Sequence, residues 1–356
     1  MTRVEKLRAK MRDMDLDAVL ILDEINQRYL SDFSFSDGFV FVTSKTAHLL
    51  TDFRYYEMAI GEASGEFTVT MTKDRTDYIK ACISEENIKR IGFEGGFVSY
   101  QSFIDLKNKY EGVELVDIEN TLDVIRQIKS PDEIEYMQKA QDIADGAFAH
   151  LMKMIKPDMT ELEVATELEY AMRRGGAEGF SFDTIAVSGD ASALPHGKPR
   201  NVKLRRGFLT MDFGAKYKGY CSDMTRTVVI GRADCEIKKL YDTVLRAHLG
   251  AMAYLRDGID AGEADKIARD IIDSFPEYKG TFGHSLGHSV GLLVHEAPGL
   301  SPKAFGTRLH TGQVVTVEPG IYLFGKYGCR IEDMVRICDD GIVSFAHSPK
   351  ELIEIY

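Results

Sequence analysis

The chain has no surplus of positive charge. Its 44 lysines and arginines are outnumbered by 56 aspartates and glutamates, which gives a formal net charge of −12. Nucleic acid and anionic membrane surfaces are met with basic patches, so neither is an expected partner. Cysteine is scarce and odd in number: Cys82, Cys221, Cys235, Cys329 and Cys338, with no CxxC pair. That excludes a disulfide framework and points to a reducing cytoplasm. No apolar run is long enough to span a bilayer, and the charged N-terminal stretch MTRVEKLRAKMRDMDLDAVLIL lacks the apolar core of a signal peptide. There is no Walker sequence, and Gly92, Gly95 and Gly96 do not have dinucleotide-binding spacing. No low-complexity segment or short tandem repeat is present.

What is present suits two soluble domains. The chain has 356 residues, 44% hydrophobic and 28% charged, ordinary for a globular protein with sizeable cores. Up to about Thr121 short apolar runs alternate with helical patterns, which predicts an α/β domain. Ser130-Pro131-Asp132-Glu133 reads as a helix start, with Ser130 as cap, proline at the first position and Glu133 closing a capping box. A second start falls at Thr160 and Glu163. The boundary is therefore placed near Ile125, giving domains 1–124 and 125–356. In the second, helices mix with hairpin-connected strands, so it is α+β and not doubly wound.

Two hairpins in that domain carry the chemistry. FLTMDFGAKYKGYCSDMTR, from Phe208 to Arg226, folds back at Tyr217-Lys218 and sets Asp212 to face Asp223. VVTVEPGIYLFGKYGCRIEDMVRI folds around Gly325 and sets Glu318 opposite Glu332. Facing carboxylates inside apolar strands destabilise a sheet and call for a cation, a shared proton or solvent. A solvated acidic turn explains either hairpin alone. Both together, with His284, His288 and His295 in TFGHSLGHSVGLLVHEAP between them, suit a pair of divalent metals. Oxygen-rich ligands favour manganese, and cobalt, zinc or iron(II) could occupy the same site. Gly283, Gly287 and Gly291 make a regular helix over the histidines poor. Histidines that bind no metal can donate to a developing oxyanion. His196, in Pro195-His196-Gly197, could be an ordinary turn residue. Arg330 lies two before Glu332 and could steer that carboxylate or simply pair with it. Cys221 and Cys329 read as small buried fillers.

The order PHG, DFGAKYKGYCSDMTRT, HSLGHSVGLLVHEAPG, VEPGIY, RIED resembles the pita-bread metallopeptidases: aminopeptidase P, prolidase and methionine aminopeptidase. The likeness covers the whole second domain. The segments NQRYLSDF and LLTDFRY resemble the extra N-terminal domain of the proline-specific members, which methionine aminopeptidases generally lack. The resemblance implies an α+β pita-bread catalytic domain, built of two halves related by a pseudo-twofold and preceded by a smaller α/β domain. It implies Asp212, Asp223, His288, Glu318 and Glu332 as ligands of two metals, with Glu318 also a general base on a bridging hydroxide. It implies His196, His284 and His295 as histidines that handle substrate, and Arg330 as the residue that orients Glu332. A full ligand set argues against a relative reduced to peptide binding. The expected substrates are peptides with proline second, and the expected assembly is a homodimer. Some prolidases of this kind carry an arginine just after the HExP segment, to hold the C-terminal carboxylate of a dipeptide. Here Gly299-Leu300-Ser301-Pro302 follows and Arg308 is unplaced, which leans the reading to Xaa-Pro aminopeptidase over Xaa-Pro dipeptidase.

Overall fold

The helix starts marked in the sequence are built as capping boxes. In the computed structural model, which describes all 356 residues, the Glu133 carboxylate accepts from the Ser130 N–H at 3.0 Å and the Ser130 hydroxyl at 2.9 Å. Thr160 and Glu163 cap each other reciprocally. The helices that follow run Pro131–Met154 and Glu161–Arg174. Satisfying the first-turn N–H groups this way fixes where each helix begins.

The chain divides into two compact units, Met1–Ile125 and Arg126–Tyr356. The first holds a six-stranded mixed sheet with helices between its strands. Ala18–Ile21 lies inside that sheet, antiparallel to Gly38–Thr43 and parallel to Arg90–Phe93, with all four residues buried. A strand covered on both faces reads as an unbroken apolar run, which is how AVLIL appears in the sequence. The helix Tyr100–Lys109 and the edge strand Glu114–Asp117 carry little apolar pattern, and the sequence reading leaves them unassigned.

The second unit repeats one order of elements. The helix pair Pro131–Met154 and Glu161–Arg174 precedes the antiparallel strands Ile185–Ser188, Gly207–Phe213 and Met224–Ile230. The helix pair Cys235–Tyr254 and Ala261–Asp273 precedes Gly287–Ser289, Val314–Val317 and Asp333–Cys338. Each helix pair packs on its own strands around a separate apolar core. This is the α+β catalytic architecture the sequence points to, with the α/β unit before it. Cys221 and Cys329 are fully buried, and burial pushes their thiols up to about 11 and about 12, as inert fillers require. No helix is long and apolar enough to cross a membrane.

The first hairpin turns one residue later than expected. Lys218 and Gly219 carry positive φ, 50° and 79°, and form its tip. Tyr217 then pairs with Tyr220, Phe213 with Met224, and Asp212 with Thr225. Asp212 therefore does not stand directly opposite Asp223. A shift of one residue at a turn moves the register by two, and side chains alternate with period two, so Asp223 still shares a face with Asp212. In the second hairpin Val317 pairs with Asp333 and Gly320 with Arg330, which brackets Glu318 and Glu332 at opposing positions.

Candidate metal centre

All nine side chains singled out in the sequence line one cavity of about 700 Å³. Asp212 and Asp223 come from the first hairpin, Glu318, Arg330 and Glu332 from the second. His284, His288 and His295 come from the glycine-rich segment between them, and His196 from the loop after the turn Gly189–Ala193. His288 sits on a short strand, and no helix forms over the histidines.

His288 faces two carboxylates in a way that suits a bound cation. Its Nδ1 lies 3.2 Å from the Ser289 carbonyl, an acceptor, so Nδ1 carries the proton. Burial and the charge of His295 push its pKa down to about 4, so the ring is neutral. The lone pair on Nε2 then points at Asp223 Oδ2, 3.7 Å away, and Glu318 Oε1, 3.4 Å away. Three electron-rich atoms meet here, and a cation or a proton taken up by a carboxylate must lie among them. Ligand atoms of Asp223, His288 and Glu332 all lie within 4.8 Å of one another, close enough for one ion to touch all three.

The carboxylates are held out of water at close quarters. Burial first, then the charges of Glu332, Asp212 and Glu318, push Asp223 well above the usual range. Burial, Glu318 and Asp212 do the same to Glu332. Burial and Asp212 push Glu318 up to about 8 although Arg330 opposes them. Six carboxylates and two cationic side chains line the cavity, and two divalent ions would neutralise the surplus. Asp212 Oδ1 is buried without a partner. The donor set, the crowding and this free oxygen all fit bound metal.

Three residues absent from the sequence reading connect the others. Thr225, placed opposite Asp212 by the observed register, donates to Glu332 Oε2 at 2.6 Å and accepts from Arg330 Nε at 2.9 Å. Arg330 thus reaches Glu332 only through Thr225. Its direct ion pair is with Asp212, Nη2 to Oδ2 at 2.6 Å. Thr316 accepts from the His288 N–H at 3.1 Å and donates to Glu318 Oε1 at 3.2 Å. Tyr322 accepts from Arg330 Nη1 at 2.9 Å, and its hydroxyl lies 2.9 Å from His284 Nε2. His284 Nδ1 lies 2.9 Å from the Ser285 carbonyl and so carries the ring proton. The Tyr322 hydroxyl therefore donates to Nε2. Burial and the charge of Arg330 hold His284 neutral, at about 4. Both its nitrogens are engaged here. His196 and His295 are exposed and make no hydrogen bond within the chain.

Behind the centre the polar groups are paired. Arg226 Nη1 donates to the Glu332 carbonyl at 2.6 Å, and Nη2 to Asp333 Oδ1 at 2.7 Å. His248, a fully buried core residue, lies 3.0 Å from the Val317 carbonyl and 3.3 Å from Asp333 Oδ2. Burial disfavours the Asp333 charge, but Arg226, His248 and Lys350 outweigh it and hold the carboxyl well below its usual range. The backbone beside Glu318 and Glu332 is thus fixed from the rear.

A two-domain, metal-dependent hydrolase is the class this fold and centre define. Comparison with known proteins narrows it. Residues 135–339 match Metallopeptidase family M24, and residues 3–128 match the Creatinase/Prolidase N-terminal domain. The chain is 38% identical over 353 residues to a Xaa-Pro dipeptidase of Pyrococcus horikoshii, across 99% of this chain and 98% of that one. A solved Xaa-Pro dipeptidase from Bacillus anthracis is 39% identical with a TM-score of 0.93, covering 99% of both chains. The X-Pro aminopeptidase from Thermotoga maritima is 36% identical with a TM-score of 0.91, covering both chains fully. The chain belongs to metallopeptidase family M24.

Proposed function

We propose that the protein is an Xaa-Pro aminopeptidase, which hydrolyses the bond before proline at the N-terminus of short peptides. Xaa-Pro dipeptidase activity is the second reading, favoured by the likeness to the two dipeptidases above. The observation that carries the first is the cavity. It is about 700 Å³ in volume and extends from the carboxylates to Leu162, Ala165 and Thr166 on the helix Glu161–Arg174, an extent that suits a peptide longer than a dipeptide.

Asp212, Asp223, His288, Glu318 and Glu332 would hold two divalent ions, manganese in the first instance. Ions bound there would lower the pKa of a water and polarise the scissile carbonyl. The remaining work falls to the chain. Glu169 and Asp183, the lining carboxylates outside the ligand set, suit the free α-ammonium of the peptide. Glu318, held in the cavity beside the ligand carboxylates, takes the proton of the attacking water and passes it to the leaving nitrogen. That nitrogen must gain a proton to leave as an amine when the tetrahedral intermediate collapses. His196 and His295, with N–H groups uncommitted, donate to the oxygen of the tetrahedral intermediate. His284 and Tyr322 hold Arg330 in place, and Arg330 holds Asp212.

Five unpaired cysteines suit a reducing cytoplasm, and a homodimer is the proposed assembly. The deciding experiment offers Ala-Pro, Ala-Pro-Ala and Met-Ala-Ser in manganese buffer, with a chelated control. Release of alanine from Ala-Pro-Ala is expected. Cleavage of Ala-Pro alone would make the protein a dipeptidase, and cleavage of only Met-Ala-Ser would end the proline-specific reading.

A further inference from the structure

The cavity holds one cation that nothing occupies. Of the side chains lining it, only Arg330 and Lys198 are positively charged. Every donor nitrogen of Arg330 is committed: Nε to Thr225, Nη1 to Tyr322 and the Pro195 carbonyl, Nη2 to Asp212. Lys198 makes no hydrogen bond or ion pair, and its side chain is exposed. The ordinary expectation for such a lysine is solvation, but two features set this one apart. It lines the same cavity as the metal centre, two residues beyond His196. Its backbone is also held. The Gly197 N–H donates to the Leu194 carbonyl, Pro199 follows directly, and Arg200 is bound to the buried Glu161 through its backbone N–H and its guanidinium. A loop fixed on both sides anchors the Lys198 backbone at the cavity wall, and its flexible stem gives the ammonium reach along the cavity.

A short peptide enters as a zwitterion and needs contacts of both signs. The carboxylates suit its ammonium. For its carboxylate the cavity offers one uncommitted cation. Glu169 and Asp183 also line the cavity and repel a carboxylate. Arg308 lies elsewhere: it donates to the Gly258 carbonyl, next to Asp260, and does not reach the cavity wall. Resting on the reading of this site as an Xaa-Pro peptidase, we propose that Lys198 receives the C-terminal carboxylate of the substrate. Free-acid di- and tripeptides are then the preferred class, and longer or amidated peptides lose that contact.

The test uses the full-length, manganese-loaded protein. Ala-Pro and Ala-Pro-Ala are compared with their C-terminal amides, and kcat and KM are measured separately. An ion pair at an exposed lysine makes the KM of each acid about fivefold lower than that of its amide. K198A removes that preference, K198E turns it in favour of the amides, and K198R keeps it. Unfolding midpoints of the variants show that each is folded, and the acid–amide comparison on the wild-type protein needs no variant. Equal KM values for acids and amides in the wild type, or an undiminished acid preference in K198A, would overturn the proposal. Failure to cleave any of the four would instead overturn the Xaa-Pro reading on which it rests.

Discussion

The Asp212 carboxylate is divided between two tasks. Arg330 grips Oδ2 at 2.6 Å, while Oδ1 is buried and meets no donor. The gripped oxygen fixes the orientation, and the free one is available to a cation. An arginine can do this because its planar fork also reaches Tyr322 and Thr225 from the same position. Arg330→Lys keeps the charge and loses the fork. Manganese affinity is expected to fall about 10–100-fold, as when partners behind a metal ligand are lost. Calorimetric titration of the metal-free protein with manganese measures it. Wild-type affinity in the variant would show that Asp212 is oriented by something else.

Tyr322 joins Arg330 to His284, and Tyr322→Phe breaks both links while keeping the ring. Arg330 Nη1 keeps only its 3.3 Å contact to the Pro195 carbonyl, and His284 Nε2 loses its donor. Leaving such groups short of partners costs about 1–3 kcal/mol. Denaturant unfolding is expected to show a loss of that order. Nitrogen NMR of the histidine rings is expected to show His284 changing tautomer or hydrogen bonding while His288 does not. An unchanged His284 spectrum would mean that the chain of donors from Arg330 is wrongly drawn.

Metal removal gives a prediction with a definite sign. Without ions, Glu318 titrates near 8 in the folded protein, and burial with mutual repulsion also raises Asp223 and Glu332. In the unfolded chain a glutamate titrates at about 4.3. Between those values the folded state holds protons that the unfolded state has released, so metal-free stability falls as pH rises from about 5 to about 8. Bound ions replace the protons, so the stabilisation by manganese grows over the same range. Unfolding midpoints with and without chelator at both ends of that window measure it. A manganese effect independent of pH would mean that these carboxylates do not hold the metal.

How legible this was depended on where each contact came from. Glu318 and Glu332 were readable as a facing pair because one turn, at Gly325, joins their strands. Asp212 and Asp223 were readable as sharing a face, although the turn at Lys218-Gly219 shifted their register. Thr225, Thr316 and Tyr322 were not found. Thr225 acts across to the second hairpin, and no local pattern fixes how two separate hairpins meet. Period two did hold a clue: Thr225 follows Asp223 by two, Thr316 precedes Glu318 by two, and Tyr322 follows it by four, so each shares a face with a carboxylate. The capping boxes at Ser130 and Thr160 were legible because their partners are three residues away. The partners of Arg330 lie 105 and 118 residues away, at Thr225 and Asp212.

Glu161 controls the loop that carries His196 and Lys198. Its buried carboxylate accepts five hydrogen bonds: from the Ser188 N–H and hydroxyl at one end of the loop, and from Arg200 N, Nε and Nη2 at the other. Glu161→Gln removes the charge and turns an amide NH2 toward some of these donors. The loss is expected to be about 2–3 kcal/mol, the scale of charge-assisted hydrogen bonds to a buried group. Burial by itself would raise the Glu161 carboxyl, but the bonds from Arg200 and Ser188 prevail and lower it. A lowered folded value means a contribution fully present above the unfolded value, about 4.3, and lost as pH falls through the folded one. The variant is therefore expected to differ most from wild type at neutral pH, with the gap closing in acid. Urea unfolding at pH 7 and below pH 4 follows that gap, and KM for Ala-Pro-Ala is expected to rise as the loop loosens. A variant of wild-type stability at pH 7 would show that the five donors find water as good a partner, and that the loop is held by its prolines and its backbone alone.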